Sequence, residues 1–165
     1  MSSIEERLAA LEEAVSRLVE GGETSRPAPA SADDPAFWLL EQLQRRAPQG
    51  AIAYGGHVDL PAGPVRWQMG ADPHVLLESE WQQAASRLDA LSHPVRLRLV
   101  QMVLSGTDTT AEMAKDDDLG TTGQLHHHLR QLVAAGWLAS AGRGRYVVPA
   151  PRVVPLLLIV AAASE

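Results

Sequence analysis

The most constraining feature of this sequence is residues 121–146, where the pattern of an amphipathic helix runs directly into that of a β-hairpin. Apolar side chains recur there at helical spacing and predict one buried stripe; they are Leu125, Leu129, Leu132 and Val133. Thr121 or Thr122 suits the helix start, because a threonine oxygen accepts a hydrogen bond from a free backbone N–H of the first turn. Gly136 suits its end, since a left-handed glycine commonly closes a helix. The sequence therefore predicts a helix over about 121–135.

Two short apolar segments follow this helix, and they flank Gly142-Arg143-Gly144. Such segments around a glycine-rich turn predict a two-stranded hairpin, here over 139–147, with one arginine at its tip. A helix followed at once by such a hairpin is typical of a winged helix-turn-helix, in which the hairpin is the wing. The fold class that we predict is therefore α+β and mostly helical, built around a winged helix-turn-helix.

The polar face of the predicted helix carries side chains that donate and accept hydrogen bonds: Gln124, His126, His127, Arg130 and Gln131, with Thr121 and Thr122 at its start. Side chains of this kind read base edges and hold phosphates in DNA complexes. Arginines outside this face are expected to contact phosphates; they are Arg96, Arg98, Arg143 and Arg145. We expect Gln124 and His127 to determine base preference, and Arg143 to add affinity for all DNA sequences alike.

The formal net charge of −6 is distributed unevenly. Residues 1–91 carry 7 basic and 14 acidic side chains, whereas residues 92–150 carry 6 basic and 5 acidic ones. The acidity therefore lies in the N-terminal half, and the candidate DNA-binding half is only weakly basic. We expect modest affinity for DNA per protomer, and a homodimer that doubles the phosphate contacts. The low positive charge also favours an alternative function, a protein-interaction scaffold without specific DNA binding.

The N-terminal segment divides into two parts. Residues 1–20 begin with a capping box and carry apolar residues at alternating spacings of four and three, which indicates a short coiled-coil-like helix. Because this pattern covers under three heptads, an amphipathic helix docked on its own domain and a dimerisation zipper both remain open. Residues 21–35 are rich in Gly, Pro, Ala and Ser and predict a flexible linker.

Residues 36–72 predict a small module, a helix over about 35–46 followed by a β-hairpin or a three-stranded meander. The Gly55-Gly56 pair is expected to separate two of its strands. Trp67, Trp38 and Tyr54 are the candidates for contact with an effector or a partner, although tryptophan more often packs in a core.

Residues 73–165 predict the winged-helix domain with its flanking helices. A helix is expected from Pro73 to about Leu91, a second from Pro94, a short third over about 109–115, and an apolar last helix over 152–163. Left exposed, that last helix would be adhesive, so burial in a dimer interface is expected.

Three segments, 88–106, 109–114 and 119–138, together resemble the ArsR-type winged-helix regulators. The resemblance rests on the Ser-His-Pro-x-Arg opening and on the His-His-Leu-Arg and Ala-Gly-Trp-Leu motifs that follow it in order. It implies a homodimeric bacterial DNA-binding protein, often a repressor. It also implies that Thr122, Gln124, His126 and His127 face the major groove, that Arg130 reaches a phosphate, and that Arg143 reaches the minor groove or its backbone. Dimerisation would use residues 73–91 and 152–163.

The chain departs from the family's metal sensors. It has no cysteine, and its last helix lacks Asp and His. His126, His127 and His128 are consecutive, so on a helix they point about 100° apart and do not converge on one ion. We therefore predict no metal and no cofactor. His128 lies beside the leucine stripe and is expected to be a hydrogen-bonded packing residue. Residues 1–72 have no counterpart in the family, and any signal is expected to enter there.

Two further classes are disfavoured by the sequence. The motifs Gly-x-Ser-x-Gly and His-Glu-x-x-His are absent and no catalytic set is recognisable, so we predict that the chain is not an enzyme. The most apolar run, residues 153–163, is far shorter than the roughly 20 residues of a membrane span, and no signal segment is recognisable. We therefore expect a cytoplasmic protein without a membrane partner.

Overall fold

The computed structural model describes residues 38–164, and it confirms the predicted α+β class. The elements, numbered in chain order, are α1 Trp38–Arg46, β1 Ile52–Leu60, β2 Gly63–Ala71, α2 Pro73–Glu78, α3 Gln82–Asp89, α4 Pro94–Leu104, α5 Thr110–Met113, a 3₁₀ turn Asp117–Leu119, α6 Thr122–Ala134, β3 Ala139–Gly142, β4 Arg145–Val147 and α7 Ala150–Ala163. Helix α1 belongs to one compact unit and residues 47–164 to another. The predictions for residues 1–20 and 21–35 lie outside the described residues.

Strands β1 and β2 form one continuous antiparallel hairpin, from the pair Ile52 and Ala71 to the pair Leu60 and Gly63. The expected separation at Gly55-Gly56 is wrong, because both glycines lie within β1. Gly56 permits a close approach instead: a Cβ atom there would lie 3.2 Å from the Cγ2 atom of Val154. The hairpin therefore packs against α7 through a strand position that has no side chain.

The single helix predicted from Pro73 to Leu91 is wrong, because the chain forms α2 and α3 with a break between them. The Leu76 carbonyl accepts hydrogen bonds from the Ser79 amide at 3.2 Å, the Ser79 hydroxyl at 2.7 Å and the Trp81 indole N–H at 2.8 Å. Side-chain donors of this kind compete with the helical backbone bond. Ser79 is extended, and the helix ends before it.

The hydrophobic core lies among α4, α5, α6 and α7. Its largest fully buried side chains are Leu99, Val100, Met113, Leu125, Leu129, Leu132, Leu138, Val153 and Leu156. The predicted stripe of α6 is confirmed for its three leucines, whereas Val133 is 38% exposed and lies outside the stripe. Trp137 is buried as predicted; its indole N–H donates to the Arg87 carbonyl at 2.8 Å, and the Arg152 guanidinium lies 5.5 Å from its ring centroid. Trp137 thereby ties α3 to α7.

Helices α2, α3 and α7, together with Trp81 between α2 and α3, also present large apolar side chains to solvent: Val75, Leu76, Leu77, Trp81, Leu88, Leu157, Leu158 and Val160. Helix α7 begins at Ala150, two residues earlier than predicted, and includes Pro155. Across residues 38–164, no helix combines the length and the apolar character that crossing a membrane requires.

Candidate nucleic-acid interface

The start of α6 is fixed by a capping box that joins Thr121 and Gln124. The Gln124 amide donates to the Thr121 hydroxyl at 3.3 Å, and the Thr121 amide donates to the Gln124 Oε1 atom at 2.8 Å. Gly120 precedes this box with φ of 77°, and a Cβ atom there would lie 2.5 Å from Gln124 Oε1. The positive φ favours glycine at 120, and the capping box defines where α6 begins.

The solvent face of α6 carries most of the polar residues that the sequence predicted there. Thr121, Thr122, Gln124, His126, His127 and Arg130 are all exposed. At about 100° per residue, Thr122, His126 and Arg130 follow one another along this face. Gln124 has a second role that its Thr-x-x-Gln spacing signals but that we did not predict, since its side-chain oxygen completes the cap. Gln131 does not belong to this face, because it is half-buried and its side-chain oxygen accepts from Arg96.

The predicted phosphate contact of Arg96 is wrong, because its side chain is only 7% exposed. Its Nε atom donates to the Ala90 carbonyl at 2.7 Å, its Nη2 atom to the Asp89 carbonyl at 2.6 Å and its Nη1 atom to Gln131 Oε1 at 2.8 Å. Arg96 therefore connects the end of α3 to α6 inside the protein, and it is not available to DNA.

The hairpin of β3 and β4 has Arg143 and Gly144 at its tip, with φ of 51° and 71°. Gly142 before them also has a positive φ, of 84°. Positive φ angles at the two central residues of a two-residue hairpin loop suit the twist of the strands. Arg143 is the one non-glycine residue among residues 38–164 that adopts a positive φ. Since this conformation disfavours a side chain with a Cβ atom, an arginine there indicates a role outside folding.

The same hairpin is anchored to the segment that leads into α5. The Thr110 amide donates to the Gly144 carbonyl at 2.9 Å, and the Tyr146 amide donates to the Asp108 carbonyl at 2.8 Å. Gly144 permits this approach, because a Cβ atom there would lie 2.8 Å from the Thr110 hydroxyl oxygen. The tip therefore has a fixed position relative to α5, which no local sequence pattern signals.

Two of the predicted phosphate-binding arginines are in ion pairs. Arg145 lies 3.0 Å from Asp108, and this hydrogen bond and charge raise the pKa of the arginine. Arg98 lies 3.3 Å from Asp116. Of the arginines on α6 and on the hairpin, Arg130 and Arg143 have no ion pair within residues 38–164. Fewer arginines are therefore free to contact phosphates than the sequence predicted.

His128 lies on the inner side of α6, against His93 at the start of α4. The ring centroids are 4.6 Å apart, and His93 caps α4 by accepting a hydrogen bond from the Val95 amide at 3.1 Å. The Nδ1 atom of His128 is enclosed and has no hydrogen-bond partner within the described part of the chain, so the predicted hydrogen bond is not found at that atom. Burial, followed by His93, His127 and Arg96, lowers the pKa of His128.

This lowered pKa predicts that acid destabilises the protein through His128. The folded state takes up its proton less readily than the unfolded state, so the contribution is present above the unfolded pKa of about 6.5 and is lost as the pH falls below it. We expect the free energy of unfolding, measured with urea, to fall between about pH 7.5 and pH 5.5, and to fall less in His128→Gln. His74→Gln, an exposed histidine of α2, is the control. An equal fall in His128→Gln and the parent chain would contradict this assignment.

The three candidates for effector contact fall in different compact units: Tyr54 and Trp67 in one, Trp38 in the other. Tyr54 and Trp67 are half-buried partners with ring centroids 5.4 Å apart, and the Tyr54 hydroxyl donates to the Met69 sulfur at 3.2 Å. Trp67 lies opposite Gly56, on the strand face that packs against α7. Trp38 is exposed and lies in α1, which belongs to the other compact unit. Packing therefore accounts for Trp67.

No group of three or more His, Cys, Asp or Glu side chains within residues 38–164 is arranged to hold a metal ion. The chain matches no known protein-family model, and a search of curated proteins finds no similar sequence. The function must therefore be argued from the geometry of α6, its cap and the anchored hairpin.

Proposed function

We propose that this chain is a cytoplasmic, homodimeric regulator of transcription that binds specific DNA sequences, acts as a repressor and is similar to the ArsR-type winged-helix proteins. The observation that carries the proposal is the exposed polar face of α6, followed by a hairpin that is tied to the segment before α5 and has Arg143 at its tip. In a winged helix-turn-helix, α5 and α6 are the helix pair and β3–β4 is the wing.

In this arrangement α6 would lie in the major groove. Its exposed donors and acceptors, above all His126 and His127, would meet base edges, and Arg130 would meet a phosphate. Arg143 would reach the neighbouring backbone or minor groove, while Arg145 would act mainly by holding the wing to Asp108. A two-fold dimer would then place two copies of α6 about one helical turn apart on DNA.

The exposed apolar side chains of α2, α3 and α7 support a dimer. Val75, Leu77 and Trp81 each have about two thirds of their side-chain surface exposed, at 66%, 68% and 66%. Because contiguous apolar surface commonly marks an interface, we propose that the exposed apolar side chains of these segments together face a second protomer. A second protomer also doubles the arginines that contact phosphates, which a weakly basic domain requires.

A specific observation favours the alternative, a protein-interaction scaffold. Ion pairs occupy Arg98 and Arg145, and the exposed acidic residues Glu112, Asp117 and Asp118 lie shortly before α6. Such a surface attracts DNA weakly. The two functions differ in their response to salt, because DNA binding through phosphates weakens steeply as the salt concentration rises.

Selection from random duplexes, followed by fluorescence anisotropy at several salt concentrations, tests the proposal. We expect a two-fold symmetric sequence to be enriched, and we expect His127→Ala to change the preferred bases. His74→Ala is the matched control. His127 is a better choice than Gln124, since Gln124→Ala would also remove the side-chain half of the capping box at the start of α6. No DNA retention at low salt would contradict the proposal and support the scaffold, and unchanged base preference in His127→Ala would remove His127 from the reading face.

A further inference from the structure

A cleft of about 240 Å³ lies where α3, α4 and α6 meet. It is lined by Ser86, Asp89, Ala90, Arg96, Gln131, Ala134 and Ala135. Pockets for drug-sized ligands span about 300–1,000 Å³, so this cleft suits a smaller molecule. Three of its lining residues are alanines, which leave the space open, and the remainder are polar.

The cleft contains a buried positive charge without a counter-ion. A guanidinium has five N–H donors, and the three hydrogen bonds of Arg96 go to neutral oxygens, two of them backbone carbonyls. No carboxylate within residues 38–164 forms an ion pair with it. Burial of a charge without a partner of opposite sign costs free energy, which a bound anion would offset.

The other polar groups of the cleft also favour an anion. The Ser86 hydroxyl and the Gln131 side-chain nitrogen are donors, and neither is engaged in a hydrogen bond within the described part of the chain. The Asp89 carboxylate opposes an anion. It is exposed, however, and accepts from the Ser92 hydroxyl at 3.4 Å. Water and salt screen this exposed charge more strongly than the buried guanidinium, so the positive charge dominates inside the cleft.

We propose that this cleft is a binding site for a small anion with a carboxylate or phosphate group, which Arg96 holds together with Ser86 and Gln131. The planar guanidinium matches both oxyanions through paired N–H groups. Gln131 and Ala134 lie on α6, so a bound anion changes the contacts of the helix that carries the reading face. This regulatory consequence rests on the proposed function, whereas the binding itself does not.

Nuclear magnetic resonance titration of the full ¹⁵N-labelled chain tests the site without DNA. The probes are acetate, inorganic phosphate and acetamide, which is an uncharged molecule with nearly the shape of acetate. At constant ionic strength we expect saturable shifts of the Arg96 Nε–H and Ala134 amide signals with acetate or phosphate, with millimolar Kd. The anion that binds with the lower Kd identifies the natural ligand as a carboxylate or a phosphate. Equal shifts with acetamide, or no saturation by about 100 mM of either anion, would overturn the proposal.

Two variants localise the site while they retain Arg96 and its three hydrogen bonds. Asp89→Asn keeps the backbone carbonyl that Arg96 uses and is expected to tighten anion binding severalfold, since it removes an opposing but screened charge. Ser86→Ala is expected to weaken it severalfold. Asp117→Asn, an exposed aspartate outside the cleft, is the control. Equal affinities in Asp89→Asn and Asp117→Asn would overturn the site.

Fluorescence anisotropy of labelled DNA, with and without the anion, then tests the regulatory consequence. A chain that binds anions but no DNA contradicts the proposed function alone.

Discussion

Replacing Arg96 with leucine is expected to lower the free energy of unfolding by about 3 kcal/mol, one of the two largest effects that we predict. Three hydrogen bonds from a charged donor are lost, each worth about 1.5–3 kcal/mol. Leucine also avoids the burial of a charge, which in proteins costs several kcal/mol and offsets part of this loss. A net loss remains, because the Ala90 carbonyl and the Gln131 side-chain oxygen are left without the Arg96 donor, whereas the Asp89 carbonyl still accepts from Ser92.

Urea unfolding of the full chain, followed by circular dichroism, measures this effect. Arg98→Leu is the matched control, since Arg98 lies on the same helix but is exposed and pairs with Asp116 near the surface. An exposed ion pair contributes about 0–1 kcal/mol, so the control is expected to remain close to the parent chain. Similar losses in both variants would show that the buried position of Arg96 has no special importance.

Arg96 belongs to the buried face of α4, although the sequence predicts that it contacts a phosphate. The buried residues of α4 are Arg96, Leu99, Val100 and Val103. Their spacings of three, four and seven from Arg96 are those of one helical face, so the periodicity was present in the sequence. The burial of Arg96 does not follow from this periodicity alone, because arginine is rarely buried and needs hydrogen-bond partners that only the tertiary structure supplies.

Helix α6 was predictable because its determinants are local. The cap at Thr121, the leucine stripe and the closing Gly136 with φ of 75° all lie within one stretch of the chain. The anchoring of the hairpin of β3 and β4 is not local, since Arg145 and Asp108 are 37 positions apart and nothing in either neighbourhood specifies the other. The break after α2 has local determinants, but helical periodicity does not reveal them. It depends on hydrogen bonds from the Ser79 and Trp81 side chains to the Leu76 carbonyl.

Replacing Arg143 with glycine is expected to weaken DNA binding strongly and to leave the fold intact. Arg143 has a φ of 51°, a conformation that glycine adopts at no steric cost. The substitution therefore removes the charge at the tip while it relieves backbone strain, and the thermal stability should be unchanged or slightly higher. If each protomer loses a phosphate contact of about 1 kcal/mol, the affinity of a dimer falls roughly 30-fold for every sequence.

Fluorescence anisotropy on the selected duplex and on an unrelated one measures this loss. If Arg143 contacts the DNA backbone in the proposed dimer, both affinities should fall by the same factor, and the slope of log affinity against log salt should decrease by about two per dimer. Arg143→Lys keeps both the positive charge and a side chain at the unfavourable φ. Because the charge is what contributes to DNA binding, this variant should retain most of the affinity. A loss confined to the selected duplex would contradict backbone contact and place Arg143 at base edges. A loss of stability in Arg143→Gly would instead show that the arginine serves the hairpin itself.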